Sequence, residues 1–187
     1  TKTRSVEEIN AAIQAGVDAV AENKVQEFRD KTDSLLPCPQ HFIGHLQTNK
    51  VKYLIGRCEL IESADSIHLI EEISRLAVKN NVVMPILIQV NVGREPQKSG
   101  VLPEELYSVL DFASKAEGIT VKGLMAIPPK CETAEEARPY FKEMYNIFLD
   151  IKAKSIDNIY MDILSMGMTH DFETAIEEGS NSVRVGT

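Results

Sequence analysis

The chain has 187 residues, is 43% hydrophobic and 26% charged, and carries a formal net charge of −8. These values suit one soluble globular domain over residues 1–187, with enough chain to bury a sizeable core. The acidic balance opposes nucleic-acid binding as the main task, no apolar run approaches the roughly 20 residues of a membrane span, and no secretory signal opens the chain.

Short apolar runs alternate with longer amphipathic ones. Residues 6–15 have helical spacing, 17–21 form a short apolar run, and 25–31 are helical again. A short run at 41–44 precedes a helical pattern at 48–55, and another short run lies at 59–61. The spacing predicts a strong helix over 67–79, with Ile67, Ile70, Ile73, Leu76 and Ala77 on one stripe. Residues 85–92 are the clearest strand. Leu87, Gln89 and Asn91 share one face, and Ile86, Ile88, Val90 and Val92 share the other. A helix over 103–116 opens with proline, 119–127 is a strand, and 134–154 is a long helix. A strand at 161–164, a helix at 171–178 and a strand at 182–186 complete the series.

This alternation predicts a parallel sheet. If a further strand ends at Lys2, the chain holds eight, which favours a (β/α)8 barrel over the alternative, an open doubly wound sheet. The first residue is Thr1, and both ends read as cut ends of a longer protein. Cys38, Cys58 and Cys131 show no paired spacing, as expected of reduced thiols in a cytoplasmic protein. Cys38 and His41 lie close together, but no second ligand pair accompanies them, so no metal site is expected.

In a barrel the chemistry gathers at the C-terminal strand ends. Those ends carry Lys2, Glu22 and Asn23, His45, Ser63 to Asp65, Asn91, Met125 to Pro128, Ser165 to Thr169, and Arg184 to Thr187. The segment Ser165-Met166-Gly167-Met168-Thr169, followed by a helix start, reads as a phosphate loop beside Gly186 and Thr187. A lysine, a phosphate loop and a nearby arginine together suggest pyridoxal phosphate, whose aldehyde takes a primary amine and whose phosphate takes N–H and O–H donors. Each residue also has a plainer role. Lys2 fits a solvated side chain, Gln89 and Asn91 a mutually satisfied pair, His45 a helix cap and Arg184 a core ion-pair partner. The shared rim is what favours a site.

Several segments resemble the pyridoxal-phosphate homeostasis family (YggS/PROSC). They include Thr1-Lys2-Thr3-Arg4, Glu22-Asn23-Lys24-Val25-Gln26-Glu27, the run from His41 to Lys50, Lys98-Ser99-Gly100-Val101, and the run from Leu164 to Glu173. The resemblance extends along essentially the whole chain. It implies the barrel of the alanine racemase N-terminal domain, with Lys2 as the Schiff-base lysine. It also implies Ser165, Thr169, Gly186 and Thr187 around the phosphate, Arg184 near the pyridine nitrogen, and Asn23 and Met125 lining the ring. Lys98 lies in a family loop. Two positions depart from the family pattern. Val20-Ala21 stands where Phe-Gly is usual, and Gln40 stands where tryptophan is usual.

The resemblance implies a monomeric protein that stores, buffers or delivers pyridoxal phosphate, with apo forms of enzymes using that cofactor as recipients. The rival is an amino-acid racemase of the same barrel type, which needs a base on each face of the substrate carbon. The five tyrosines fall in helical patterns or near strand starts, so none is placed to be the second base. A pure interaction module leaves the clustering at one rim without cause.

Overall fold

Each short apolar run becomes a strand and each amphipathic run packs over the sheet. The computed structural model describes residues 1–186. Its seven strands are β1 (Val20–Glu22), β2 (Gln40–Phe42), β3 (Leu60–Ala64), β4 (Met84–Val90), β5 (Ile119–Ala126), β6 (Ile159–Met168) and β7 (Ser182–Arg184). The helices are α1 (Val6–Gln14), α2 (Val25–Lys31), α3 (Ile67–Lys79), α4 (Leu106–Lys115), α5 (Ala134–Lys154) and α6 (Phe172–Glu177).

Every strand pairs in parallel with the next one in sequence, in the order β1 to β7. A doubly wound sheet would reverse its strand order at a switch point. The unbroken order here is that of a curled, barrel-type sheet. Seven strands form among the described residues, and residues 1–4 are not a strand. Lys2 and Thr3 make a turn, closed by the Arg4 N–H donating to the Thr1 carbonyl at 3.1 Å.

The two faces of β4 separate as its alternation predicts. Ile86, Ile88, Val90 and Val92 join the large core between sheet and helices. Leu87 joins a smaller interior cluster with Leu60, Met125 and Ile163. Local signals fix the helix ends. Ser5 and Glu8 form a capping box on α1, and Ser66 and Thr133 cap α3 and α5. The helix expected at 48–55 is instead a 3₁₀ helix, Thr48–Tyr53. That segment is too short to repay α-helical nucleation, and it is anchored by buried Leu46, Val51 and Leu54. Pro103 likewise opens a 3₁₀ turn, Pro103–Glu105, ahead of α4. No helix among the described residues is long and apolar enough to cross a membrane.

The last two strands are placed by side chains as much as by the ladder. Asn181 accepts from the Leu164 N–H and donates to the Asp162 carbonyl, both at 2.7 Å, stitching the start of β7 to β6. Arg138 on α5 pairs with Glu177 at 2.6 Å and Glu178 at 2.8 Å, fixing the end of α6.

Gly123 sits where the β5–β6 register shifts. Its φ is +149°, and a Cβ there would lie 1.8 Å from the Ile163 carbonyl oxygen. Gly123→Ala is therefore expected to cost about 2–4 kcal/mol. Thermal denaturation should show a Tm lower by roughly 5–15 °C.

Candidate functional site

Four groups of side chains lie at or beneath the rim at the C-terminal strand ends. The first follows β6 and β7. The Thr169 hydroxyl donates to the Gly186 carbonyl and accepts from the Gly186 N–H at 3.0 Å, joining the two loops. Gly167, at φ +95°, lets β6 pass over α6. A Cβ there would lie 2.6 Å from the Ala175 Cβ. Asp171 closes the loop by accepting from the Met168 N–H at 2.6 Å. Helix α6 has only 6 residues, so the dipole expected to attract an anion is short. The polar groups that remain at the loop are the Thr169 hydroxyl and the Gly186 backbone, which here satisfy each other. Thr187, the last expected phosphate contact, lies outside the described residues.

The second group is buried under the rim. The Glu62 carboxylate on β3, 2% exposed, accepts from Ser165 Oγ at 2.6 Å and lies 2.8 Å from His41 Nδ1. Arg184 donates from one nitrogen to Ser165 Oγ and from the other to the Ala126 carbonyl at 3.0 Å. The guanidinium lies 3.9 Å from Glu62. Burial by itself would raise the Glu62 carboxyl, but the bonds from His41 and Ser165 and the charge of Arg184 outweigh it and hold the group below its usual range. Burial pulls Arg184 below its ordinary value, opposed by Glu62 and Asp171. Ser165 thus has a different geometry from the phosphate contact expected of it. It is fully buried, and its only hydrogen goes to Glu62.

The third group orders the remaining loops. Gln89 and Asn91 do not satisfy each other. Gln89 donates to the Ser99 carbonyl at 3.1 Å, and Asn91 donates to the Glu95 carbonyl at 2.9 Å while accepting its N–H at 3.1 Å. Lys98 bridges to the next loop through the Pro128 carbonyl at 3.1 Å and pairs with Glu95 at 2.5 Å. His45 does not cap the 3₁₀ helix. Its Nδ1 lies 3.1 Å from Ser99 Oγ and 3.3 Å from Asp65.

Around β1, Lys31 binds Glu22 and Glu27, each at 2.8 Å, and donates to the Thr1 carbonyl at 3.0 Å. Burial would lower the Lys31 amine, but the two carboxylates hold it above its usual value. Glu27 also accepts from the Thr3 N–H at 3.0 Å. The turn carrying Lys2 is thereby tied to β1 and α2. Lys2 itself is exposed and makes no hydrogen bond or ion pair among the described residues. Asn23, after β1, is exposed, and Gly44 packs against the Asn23 backbone, where a Cβ would lie 1.9 Å from its carbonyl oxygen. Met125 is fully buried in the interior cluster.

Glu62 is not singled out by the sequence, and His41 is named only beside Cys38 and as the start of a family segment. The reading of β3 stopped at Ile61, while the strand runs on to Ala64. An acid between the apolar Leu60-Ile61 pair and Ala64 is the signal that would have found it.

Fold and rim together define a barrel-type α/β protein with its polar groups at the C-terminal strand ends. The alanine racemase N-terminal domain family matches residues 3–187. The pyridoxal phosphate homeostasis protein of Aquifex aeolicus is 45% identical over 189 residues, spanning 100% of this chain and 82% of its own. A crystal structure from Bifidobacterium adolescentis is 36% identical, with TM-score 0.93, over 98% of this chain and 79% of that one. PipY of Synechococcus elongatus, solved with PLP bound, is 30% identical with TM-score 0.89 over 99% of this chain and 87% of its own. The chain belongs to the alanine racemase N-terminal domain family and, within it, to the pyridoxal phosphate homeostasis proteins.

The Glu62 carboxyl has a depressed value in the folded chain against an ordinary 4.5. Its contribution is present above pH 4.5 and is lost as pH falls through the lower folded value. Glu62→Gln leaves a buried guanidinium uncompensated and is expected to cost about 3 kcal/mol at neutral pH. Melting curves across pH should show the gap to the parent protein at its widest above pH 4.5 and narrowing in acid. A gap that does not change with pH would contradict this assignment.

Proposed function

We propose that the chain binds pyridoxal phosphate as a Schiff base on Lys2 and serves to store, buffer or deliver it. The reading is supported by an uncommitted lysine amine on a turn tied to the end of β1, by the Thr169–Gly186 pair that joins the loops after β6 and β7, and by a buried arginine at the end of β7. The relatives named for pyridoxal phosphate homeostasis and the PLP-bound PipY structure support it.

The residues present fit the group. A Cβ at Gly186 would meet nothing within 4 Å, so the space there is open to a phosphate. Thr169 and Gly186, with Thr187 beyond the described residues, would take the phosphate. Asn23 and Met125 would line the ring, and Arg184 would lie near the pyridine nitrogen. Ser165 serves through Arg184, which it touches. Bound pyridoxal phosphate supplies an aldehyde that condenses reversibly with amines. An exposed Lys2 suits release of the cofactor to apo-enzymes. The protein works in this reading as a cytoplasmic monomer, and its three free cysteines suit a reducing compartment.

Turnover is not part of the reading. Tyr53, Tyr107, Tyr140 and Tyr145 lie on helical segments, and Tyr160 stands near the start of β6. No described strand end therefore offers a tyrosine as the second base of a racemase. An arginine at the ring nitrogen would keep that nitrogen unprotonated and weaken the electron sink.

Lys2→Ala in the full-length protein should abolish the visible absorbance that appears on adding pyridoxal phosphate, with the far-UV circular dichroism unchanged. An unaltered spectrum would sink the lysine assignment. Separately, L- and D-alanine in deuterated solvent should exchange their Cα hydrogen far more slowly than the roughly 1–10³ per second typical of enzymes. Exchange within that range would restore the racemase.

A further inference from the structure

The buried group beneath the rim contains a directional chain. A guanidinium has only donors and a carboxylate only acceptors. Ser165, placed between Arg184 and Glu62, must therefore accept from the first and donate to the second, as it does. Its hydroxyl cannot rotate to another partner without leaving a buried charge short of a bond. On its other edge the guanidinium is held by the Ala126 carbonyl at 3.0 Å, next to Met125. The Arg184 and Glu62 side chains are only 8% and 3% exposed, so neither charge is offset by water. Without Glu62 the described residues would give Arg184 no buried counter-charge.

We propose that Glu62 is a positioning residue of the site: through Ser165 it fixes the Arg184 guanidinium and cancels its charge, so that a bound pyridine ring meets a neutral pair. The inference rests on the cofactor reading above. It assigns a role to a β3 residue that acts through Ser165 and Arg184. The groups facing the pair are His41 from β2, Ser165 from β6, Cys58 ahead of β3, and Asp171 beyond β6.

A purely structural role and a charge-balancing role separate in Glu62→Gln. Glutamine keeps the shape and the acceptor for Ser165 but leaves a net positive charge under the ring. That charge disfavours the protonated, cationic Schiff base. The pH at which the visible band titrates should therefore fall by about one unit relative to the parent protein. Glu62→Asp should restore it. An identical titration in parent and Glu62→Gln would overturn the proposal. If the parent itself forms no visible band, the cofactor reading fails, and Glu62 is judged on the ligand-free protein by ¹⁵N NMR of the arginine Nε–H groups. The Arg184 signal should then shift in Glu62→Gln, and an unmoved signal would overturn the proposal. Should Glu62→Gln fail to fold, Ser165→Ala removes the relay while keeping both charges. It must release Arg184 in the same NMR experiment, and an unmoved signal there would likewise overturn the proposal.

Discussion

The burial of one carboxylate and one guanidinium inside the sheet constrains the rest of this molecule. Glu62 and Arg184 come from β3 and β7, and Ser165 between them comes from β6. Desolvating two charges costs several kcal/mol each, and their attraction offsets that only when the remaining donors and acceptors are also satisfied. Here His41, Ser165 and the Ala126 carbonyl complete the set. The requirement reaches across the curled sheet. Strands far apart in its order must curve until their side chains meet, which a flat sheet of the same order would not allow.

The sheet meets that requirement by uneven pairing. Register shifts fall between Ile61 and Ala64, Ile86 and Leu87, Val121 and Gly123, and Ser165 and Met168. Such irregularities bend a strand and re-aim its side chains. One of them begins at Ser165 and another follows Ile61, so the residues of the buried relay sit where the ladder bends. The apolar layer of Leu60, Leu87, Met125 and Ile163 accompanies this polar group within the sheet's interior.

Much of this was legible in the sequence. The alternation of short and amphipathic runs dictates a parallel sheet, and β4 declares its two faces because its period of two is unbroken. The rim residues follow from placing polar positions at strand ends. Other features were not legible, for physical reasons. The extent of β3 was hidden because Glu62 and Ser63 look like a strand end when their partners are unknown. Pattern alone gave Ser165 the job of its loop, whereas its hydroxyl is claimed by charges brought from β3 and β7. The helix at 48–55 has the right spacing but too little length, so tertiary anchoring decides for 3₁₀ geometry. Gln89 and Asn91 share a face of β4, yet the loop after the strand offers each a backbone partner, and the pair never forms.

The contrast between Lys2 and Arg184 bears on the proposal that the site holds a cofactor without turning it over. Arg184 is immobilised by bonds on two edges and by a buried counter-charge. Lys2 sits on an exposed turn whose backbone is tied to α2, with its amine uncommitted. A catalytic lysine that shuttles protons gains from a fixed position and a tuned environment. An exposed one gains neither, but it remains open to competing amines and to water, and both favour release. In the proposed reading, an immobilised arginine at the ring and an open amine at the aldehyde would suit a reservoir. The proposed function follows from that asymmetry as much as from the inventory of residues.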